Sequence, residues 1–354
     1  MERDTTERGA TTRVHRARPT RKRWIRAATA VAGVTVCLAT ATVGHAVNEA
    51  RSPAPSTGNP SPAPGKPSPA PDDPWTSRDA AAYWTADRMA AAAPAGSDTP
   101  ARPTAPTPPT ATTRSAVPKG TAAAARAGRT ARHFNGVPSV GVLFSVDGDA
   151  KAHHCTASVV HSPHGNLILT AGHCNPGTRA AFVPQYRSGS ATQPYGVWAI
   201  ERTFAYPGRG TTGARADLDF AFATVAPGED GDTIEEVTGG NTLSPTPGYT
   251  NDVTVIGYPN VRNDPEDRAV RCATRTGRLS GTRELRMECG GFYGGTSGSP
   301  WLSDFDEESR TGRIIGVIGG LNGGGPKGPD ADRISYSPYF GSKVLNLYAR
   351  AAQK

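Results

Sequence analysis

Ser297 lies in the stretch Gly294-Gly295-Thr296-Ser297-Gly298-Ser299-Pro300. A serine hydroxyl is a weak nucleophile until a neighbouring base takes its proton. It must also stand clear of its surroundings for a carbonyl to reach it. Glycines on both sides open backbone conformations closed to other residues, and they let N–H groups converge where an oxyanion could form. A plain Gly-rich turn between strands looks the same, so the stretch gains meaning only if the chain also supplies a base and an orienting acid. His173, in Leu169-Thr170-Ala171-Gly172-His173-Cys174, is the candidate base, since imidazole can take and return a proton near neutrality and the adjacent cysteine can anchor it. The remaining histidines, His15, His45, His133, His153, His154, His161 and His164, read as surface or structural. For the acid there are two candidates, Asp217 and Asp219. Asp219 is favoured because it opens the unbroken apolar run Phe220–Val225, whereas Asp217 sits further into the polar turn.

These residues need rigid elements to hold them. From about Phe134 onward the chain shows short apolar runs separated by turn signals: 137–146 ending at Asp147-Gly148-Asp149, then 155–160, 167–170, 197–200, 220–225, 253–258 and 314–318. This is an all-β barrel or sandwich pattern. Only the C-terminus of this part reads as helix, with Ser337 as cap, Pro338 in the first turn and Phe340, Val344, Leu347 and Tyr348 on one face. About 220 residues from Phe134 to Lys354 suffice for one bilobal unit or two small barrels.

The first third of the 354-residue chain has a different texture. Residues 1–26 hold nine Arg/Lys against Glu2, Asp4 and Glu7, which is six of the eight net positive charges. The basic balance therefore reports an N-terminal cluster and not a nucleic-acid-binding face. Ala27–Val47 carries no charge and ends in small residues, as an export signal does; cleavage is favoured over retention as an anchor. Residues 48–131 are rich in Pro and Ala and read as an unfolded linker and N-terminal extension. Within them, 75–93 has helical spacing through Ala82, Tyr83, Ala86, Met89, Ala90 and Ala93, with Ser77 as cap and Trp84 flanking the stripe; either a stray helix or a pro-segment fits. The expected division is 1–47 for export, 48–131 for the linker, and 132–354 for the folded domain, with lobes at about 132–230 and 240–336 and a helix at about 338–350.

Cys37 falls in the export segment, and Cys155, Cys174, Cys272 and Cys289 form an even set for an oxidising compartment. Three pairings are open, and sequence proximity favours Cys155–Cys174 with Cys272–Cys289. The cluster His153, His154, Cys155, His161, His164, His173 and Cys174 is a weak zinc signal, because it lacks a Cys-x-x-Cys element and pairing would remove the thiolates. No metal or cofactor is expected.

Taken together, the order His173, Asp219, Ser297 resembles the chymotrypsin-like serine endopeptidases. Leu-Thr-Ala-Gly-His173-Cys is similar to their Thr-Ala-Ala-His-Cys block, Asp219-Phe-Ala-Phe to their Asp-Ile-Ala-Leu strand, and Gly295-Thr-Ser-Gly-Ser-Pro300 to their Gly-Asp-Ser-Gly-Gly-Pro. Cys155-Thr-Ala-Ser-Val-Val is similar to the strand whose cysteine pairs with the one after the histidine, which supports Cys155–Cys174. The resemblance covers about residues 134–350 and is nearest to the secreted bacterial branch, including glutamyl endopeptidases, which share Ser-Gly-Ser-Pro. It implies two six-stranded antiparallel β-barrels with the site between them, and an oxyanion hole made by the N–H groups of Gly295 and Ser297. It further implies substrate contacts at Gly291, Ile318, Gly319 and Gly320, and a monomer that cleaves protein or peptide substrates outside the cytoplasm. Two departures matter. Thr296 replaces the Asp that pairs with a new N-terminal amine in digestive relatives, so that activation switch is not expected. Gly291 replaces the trypsin pocket Asp and Val317 the glutamyl-specific histidine, leaving a small or apolar P1 side chain as the expectation. The competing reading is a catalytically silent homologue that serves as an extracellular binding module; such a protein would be expected to have lost a triad residue, and none is missing.

Overall fold

The computed structural model describes residues 74–95, 129–146, 152–262 and 264–354, all within one compact unit, Ser68–Lys354. The export segment, Cys37, most of the linker and the Asp147–Asp149 turn lie outside the described residues.

The first lobe is a closed barrel of six strands: Val140–Val146, Ala152–Val160, Leu167–Thr170, Thr178–Pro184, Trp198–Ala205 and Ala221–Val225. It closes because Ala152–Val160 pairs antiparallel with Val140–Val146 on one side and Leu167–Thr170 on the other. Closure removes free strand edges. The second lobe uses Asp252–Gly257, Val270–Arg275, Leu285–Glu288, Pro300–Asp306, Thr311–Val317 and Ile334–Ser337, arranged as a six-stranded and a three-stranded sheet that also take in the two-residue pieces Arg132–His133, Thr242–Leu243 and Gly277–Arg278. One of these, Arg132–His133, pairs with Val270–Arg275, so this stretch joins the second lobe before the chain goes on to build the first barrel. The architecture is all-β and two-barrelled, as expected. Alternation drives it: in Leu285-Arg286-Met287-Glu288 the apolar members are buried and the charged ones face outward.

Each lobe has its own apolar interior. Leu143, Val159, Ile168, Phe182, Trp198 and Val225 fill the first, and Val253, Val255, Leu285, Met287, Phe292 and Trp301 the second. A third cluster joins residues of both lobes to the C-terminal helix, through Phe144, Phe222, Tyr258, Leu302, Val317, Phe340, Val344 and Leu347. That helix runs Ser342–Ala351 with Gly341 as N-cap, later than expected. Ser337 does not cap it: it ends the strand Ile334–Ser337, where its hydroxyl accepts from the Val317 N–H at 3.0 Å and donates to the Pro338 carbonyl at 3.0 Å. Sheet pairing takes that hydroxyl before the helix can.

Residues 74–95 join the same third cluster. In place of one helix over 75–93 the chain forms two, Ser77–Tyr83 capped by Thr76 and Ala86–Ala91 capped by Thr85. The break at Trp84-Thr85 turns the burying face, so the buried set is Ser77, Ala80, Trp84, Met89 and Ala92, while Ala82 is exposed. Trp84 is 1 % exposed, packs on Phe144 with ring centroids 5.2 Å apart, and donates its Nε1–H to the Arg179 carbonyl at 2.7 Å. Trp75 donates likewise to the Ala180 carbonyl at 2.9 Å. Trp84→Ala should therefore cost the full chain ~3–5 kcal/mol, and Trp84→Phe only the hydrogen bond and part of the ring, about 1–2 kcal/mol. Urea denaturation checks this; a loss within about 0.5 kcal/mol for Trp84→Ala would show that the segment only grazes the barrel.

Candidate active site

The site begins with one buried carboxylate. Asp219 is wholly buried where the 3-10 turn Gly213–Leu218 hands over to the strand Ala221–Val225. Three N–H groups point at it. Its Oδ1 accepts from the His173 backbone at 2.6 Å, and its Oδ2 accepts from His173 Nδ1 at 2.8 Å and from the Gly320 backbone at 2.7 Å. Bonding through Nδ1–H leaves Nε2 as the basic nitrogen on the far edge of the ring. Burial alone would lower the His173 pKa, but the Asp219 charge and hydrogen bond outweigh it and the pKa lies above its usual 6.5. Asp217, by contrast, is half-buried within the turn, and His173 does not bond to it.

His173 occupies a one-turn 3-10 segment, Gly172–Cys174, directly after the strand Leu167–Thr170. Two anchors hold it. Cys174 is bonded to Cys155 on the neighbouring strand. Arg209 donates from Nε to the Gly172 carbonyl at 2.9 Å and from its guanidinium to the Asn175 side chain. Arg209 had no sequence signal, since it lies in an unremarkable Pro-Gly-Arg-Gly turn. The second disulfide is Cys272–Cys289. His173 with Cys155 and Cys174 brings three ligand atoms within 4.8 Å of one another, but the two sulfurs are bonded to each other and offer no thiolate.

Ser297 is brought to the same place by Thr156. The Thr156 N–H donates to the Ser297 carbonyl at 2.8 Å, and its hydroxyl donates to the Gly295 carbonyl at 3.1 Å while accepting from the Tyr258 N–H at 3.0 Å. The Thr156 carbonyl in turn accepts from the Thr170 hydroxyl at 2.8 Å. Cys174 Sγ lies 3.8 Å from the Ser297 carbonyl oxygen, so the Ser297 loop packs against the histidine turn. Gly298 fits there only as glycine: φ is +85° and a Cβ would stand 2.1 Å from the Thr156 carbonyl oxygen. Among the described residues, none accepts from the N–H of Gly295 or of Ser297. Thr296 is buried and satisfied locally, its hydroxyl donating to the Tyr293 carbonyl at 2.7 Å.

The four expected substrate contacts fall into two groups. Gly291 has φ +96°, with Ala131 packed beside it, the Ala131 N–H donating to the Gly290 carbonyl at 2.8 Å. Ile318 is buried in the second lobe, and Val317 in the third cluster, so neither side chain faces a cleft. The N–H groups of Gly319 and Gly320 are taken by the Tyr336 carbonyl and by Asp219.

Glu284 is a participant that pattern reading missed. The Leu321 N–H donates to both of its carboxylate oxygens, at 2.9 and 3.1 Å, so consecutive amides of one turn serve two buried acids. Burial pushes Glu284 up to about 7, the Leu321 hydrogen bond opposes this, and the charges of Asp217 and Asp219 add to it. Between its ordinary 4.5 and about 7 the folded protein binds a proton that the unfolded chain has lost. Stability must then fall as pH rises through that window. Glu284→Gln should flatten this slope: thermal midpoints of wild type and variant diverge between pH 5 and pH 8, with wild type losing more, and parallel curves would refute the assignment.

In sequence, residues 155–317 match the trypsin-like peptidase domain family, just under half of the chain. Among curated proteins none matches. Among solved structures the chain is similar to the protease Anisep from Arthrobacter nicotinovorans, at 24 % identity, covering 64 % of this chain and 100 % of that one with a TM-score of 0.54. It is also similar to AL20, a thermostable serine protease from an extremophilic microorganism, at 24 % identity, covering 61 % and 98 % with a TM-score of 0.50. These likenesses speak for the fold, and the domain match for the class. Residues 155–317 thus carry a trypsin-like peptidase domain, as serine-type endopeptidases do, on a fold shared with solved serine proteases.

Proposed function

We propose that the chain hydrolyses peptide bonds through Ser297 as nucleophile, His173 as general base and acid, and Asp219 as the group that orients His173 and stabilises its imidazolium. The observation that supports this best is the wholly buried Asp219 carboxylate holding both the backbone and the Nδ1–H of His173. In the first step the Ser297 hydroxyl attacks the scissile carbonyl as His173 Nε2 takes its proton. The N–H groups of Gly295 and Ser297 receive the oxyanion, a contribution of ~3 kcal/mol per donor in such sites. The proton then passes from His173 to the leaving amine, and water repeats the sequence on the acyl-enzyme.

Activation by a new N-terminal amine has no partner in Thr296, whose hydroxyl is already committed to the Tyr293 carbonyl. Full activity in protein with a lengthened, blocked N-terminus is expected; strict dependence on one new N-terminus would overturn this. Gly291, without a side chain, leaves a small or apolar P1 residue as the preferred reading, and the protein is read as an exported monomer acting on protein or peptide substrates. Two disulfides suit an oxidising compartment. No helix among the described residues is long and apolar enough to cross a membrane.

A fluorophosphonate probe should label the wild type and not Ser297→Ala, and hydrolysis of a peptide library should drop ~10⁶-fold in that variant. Asp219→Asn should lower kcat about 10⁴-fold. The acid limb of the wild-type pH–rate profile should lie above pH 6.5, because His173 must be neutral to act and its pKa is raised. A folded wild type that takes no label would favour the silent binding module.

A further inference from the structure

We propose that residues 74–95 are a built-in brace for the oxyanion loop, and that Asn260 is the positioning residue through which they act. The inference rests on the catalytic reading above and adds to it what holds Gly294–Ser297 in place where Thr296 cannot form an ion pair.

The segment ends against two groups that support the loop. Ala93 and Pro94 pair in parallel with His153 and His154, and the Ala95 N–H donates to the His154 carbonyl at 3.2 Å. Just before them, the Ala92 carbonyl accepts from the side-chain amide of Asn260. Asn260 is 1 % exposed. Its Oδ1 accepts from the Arg262 N–H at 3.0 Å, which fixes the amide orientation, and its own N–H donates to the Gly294 carbonyl at 2.8 Å. Gly294 directly precedes the proposed oxyanion donor Gly295. Gly295 itself, with φ +103°, rests on the same supports: a Cβ there would lie 2.7 Å from Asn260 N, 2.9 Å from the Tyr258 carbonyl oxygen and 3.1 Å from His154 Nε2. The His154 Nε2–H donates to that Tyr258 carbonyl at 3.0 Å. The brace thus touches Asn260 by its Ala92 carbonyl and His154 by strand pairing, and Gly295 sits on both.

The other end of the segment is well fixed. Trp84, Ala80, Met89 and Ala92 are buried in the cluster shared by the two lobes and the C-terminal helix. Withdrawing the segment would leave the buried Asn260 amide with one N–H unsatisfied, a penalty that falls on the turn carrying the Gly294 contact. An oxyanion donor displaced by about 1 Å loses much of its effect.

The test is Asn260→Asp in the full chain. The substitution keeps shape and the acceptor for Arg262 but sets an oxygen against the Ala92 carbonyl. Kinetics normalised to active-site titre should show kcat reduced about 10–100-fold with KM little changed. Hydrogen exchange should show faster exchange of the backbone amides of Gly294–Ser297. Trp84→Ala, which frees the segment from its anchor, should produce the same two changes, and the double variant should match the larger single effect. A merely structural Asn260 would lower the melting temperature while leaving kcat per active site and loop exchange at wild-type values, and that result overturns the brace. The exchange readout does not need turnover. If wild type takes no fluorophosphonate, the catalytic reading fails while exchange still decides the brace.

Discussion

Thr156 is the point on which the two lobes and the candidate site depend. It is wholly buried in the first barrel, yet its N–H and hydroxyl both reach the loop carrying Ser297, and Tyr258 of the second lobe donates to it. Its carbonyl holds Thr170, two residues before the His173 turn begins at Gly172. A buried polar side chain is stable only when its hydrogen bonds are made, so this residue ties together the strand, the Ser297 loop and the approach to His173 in one geometry. The disulfide from the preceding residue, Cys155, to Cys174 locks the same junction covalently. The Ser297 loop and the His173 turn come from different lobes, and both are tied to a single strand, Ala152–Val160, one through Thr156 and the other through Cys155.

The electrostatics follow from the same crowding. Asp219 and Glu284 are both buried, and each is served by one of two consecutive amides, Gly320 and Leu321. Asp219 gains two further donors from His173, whereas Glu284 relies on the Leu321 N–H alone among the described residues. Burial pushes Glu284 up to about 7 against the single Leu321 N–H, beside a neighbour whose charge raises the pKa of His173. Gly320 makes the arrangement feasible. Its φ is +89°, and a Cβ would stand 2.6 Å from Glu284 Oε1.

The third apolar cluster shows how the segment 74–95 differs from the Pro-rich chain around it. Tryptophan and well-spaced alanines let it bury area against strands and the inter-lobe seam, and Thr76 and Thr85 cap its two short helices. Helices this short gain little from their own hydrogen bonds and depend on tertiary packing. Their stability is thus borrowed from Phe144 and the carbonyls of Arg179 and Ala180.

Much of the candidate site was legible from residue type and order alone. Ser297 between glycines, His173 beside a cysteine, and Asp219 at the head of an apolar run are local patterns, and local patterns survive in sequence. So are the continuously buried strands Leu167–Thr170 and Ala221–Val225, whose observed limits differ little from those expected. What the sequence could not disclose is pairing at a distance. Thr156, Asn260, Arg209 and Glu284 are ordinary residues in ordinary surroundings, and their importance comes from partners as far as 168 residues away, as for Asn260 and Ala92. The same holds for Ser337, taken by sheet pairing rather than by a helix cap, and for Trp84, which flanks the predicted stripe but is more buried than any member of it. Composition and periodicity determined the kind of elements and the reactive groups. Only the folded chain decided which buried polar atoms satisfy one another, because each such bond needs two residues that the sequence holds apart.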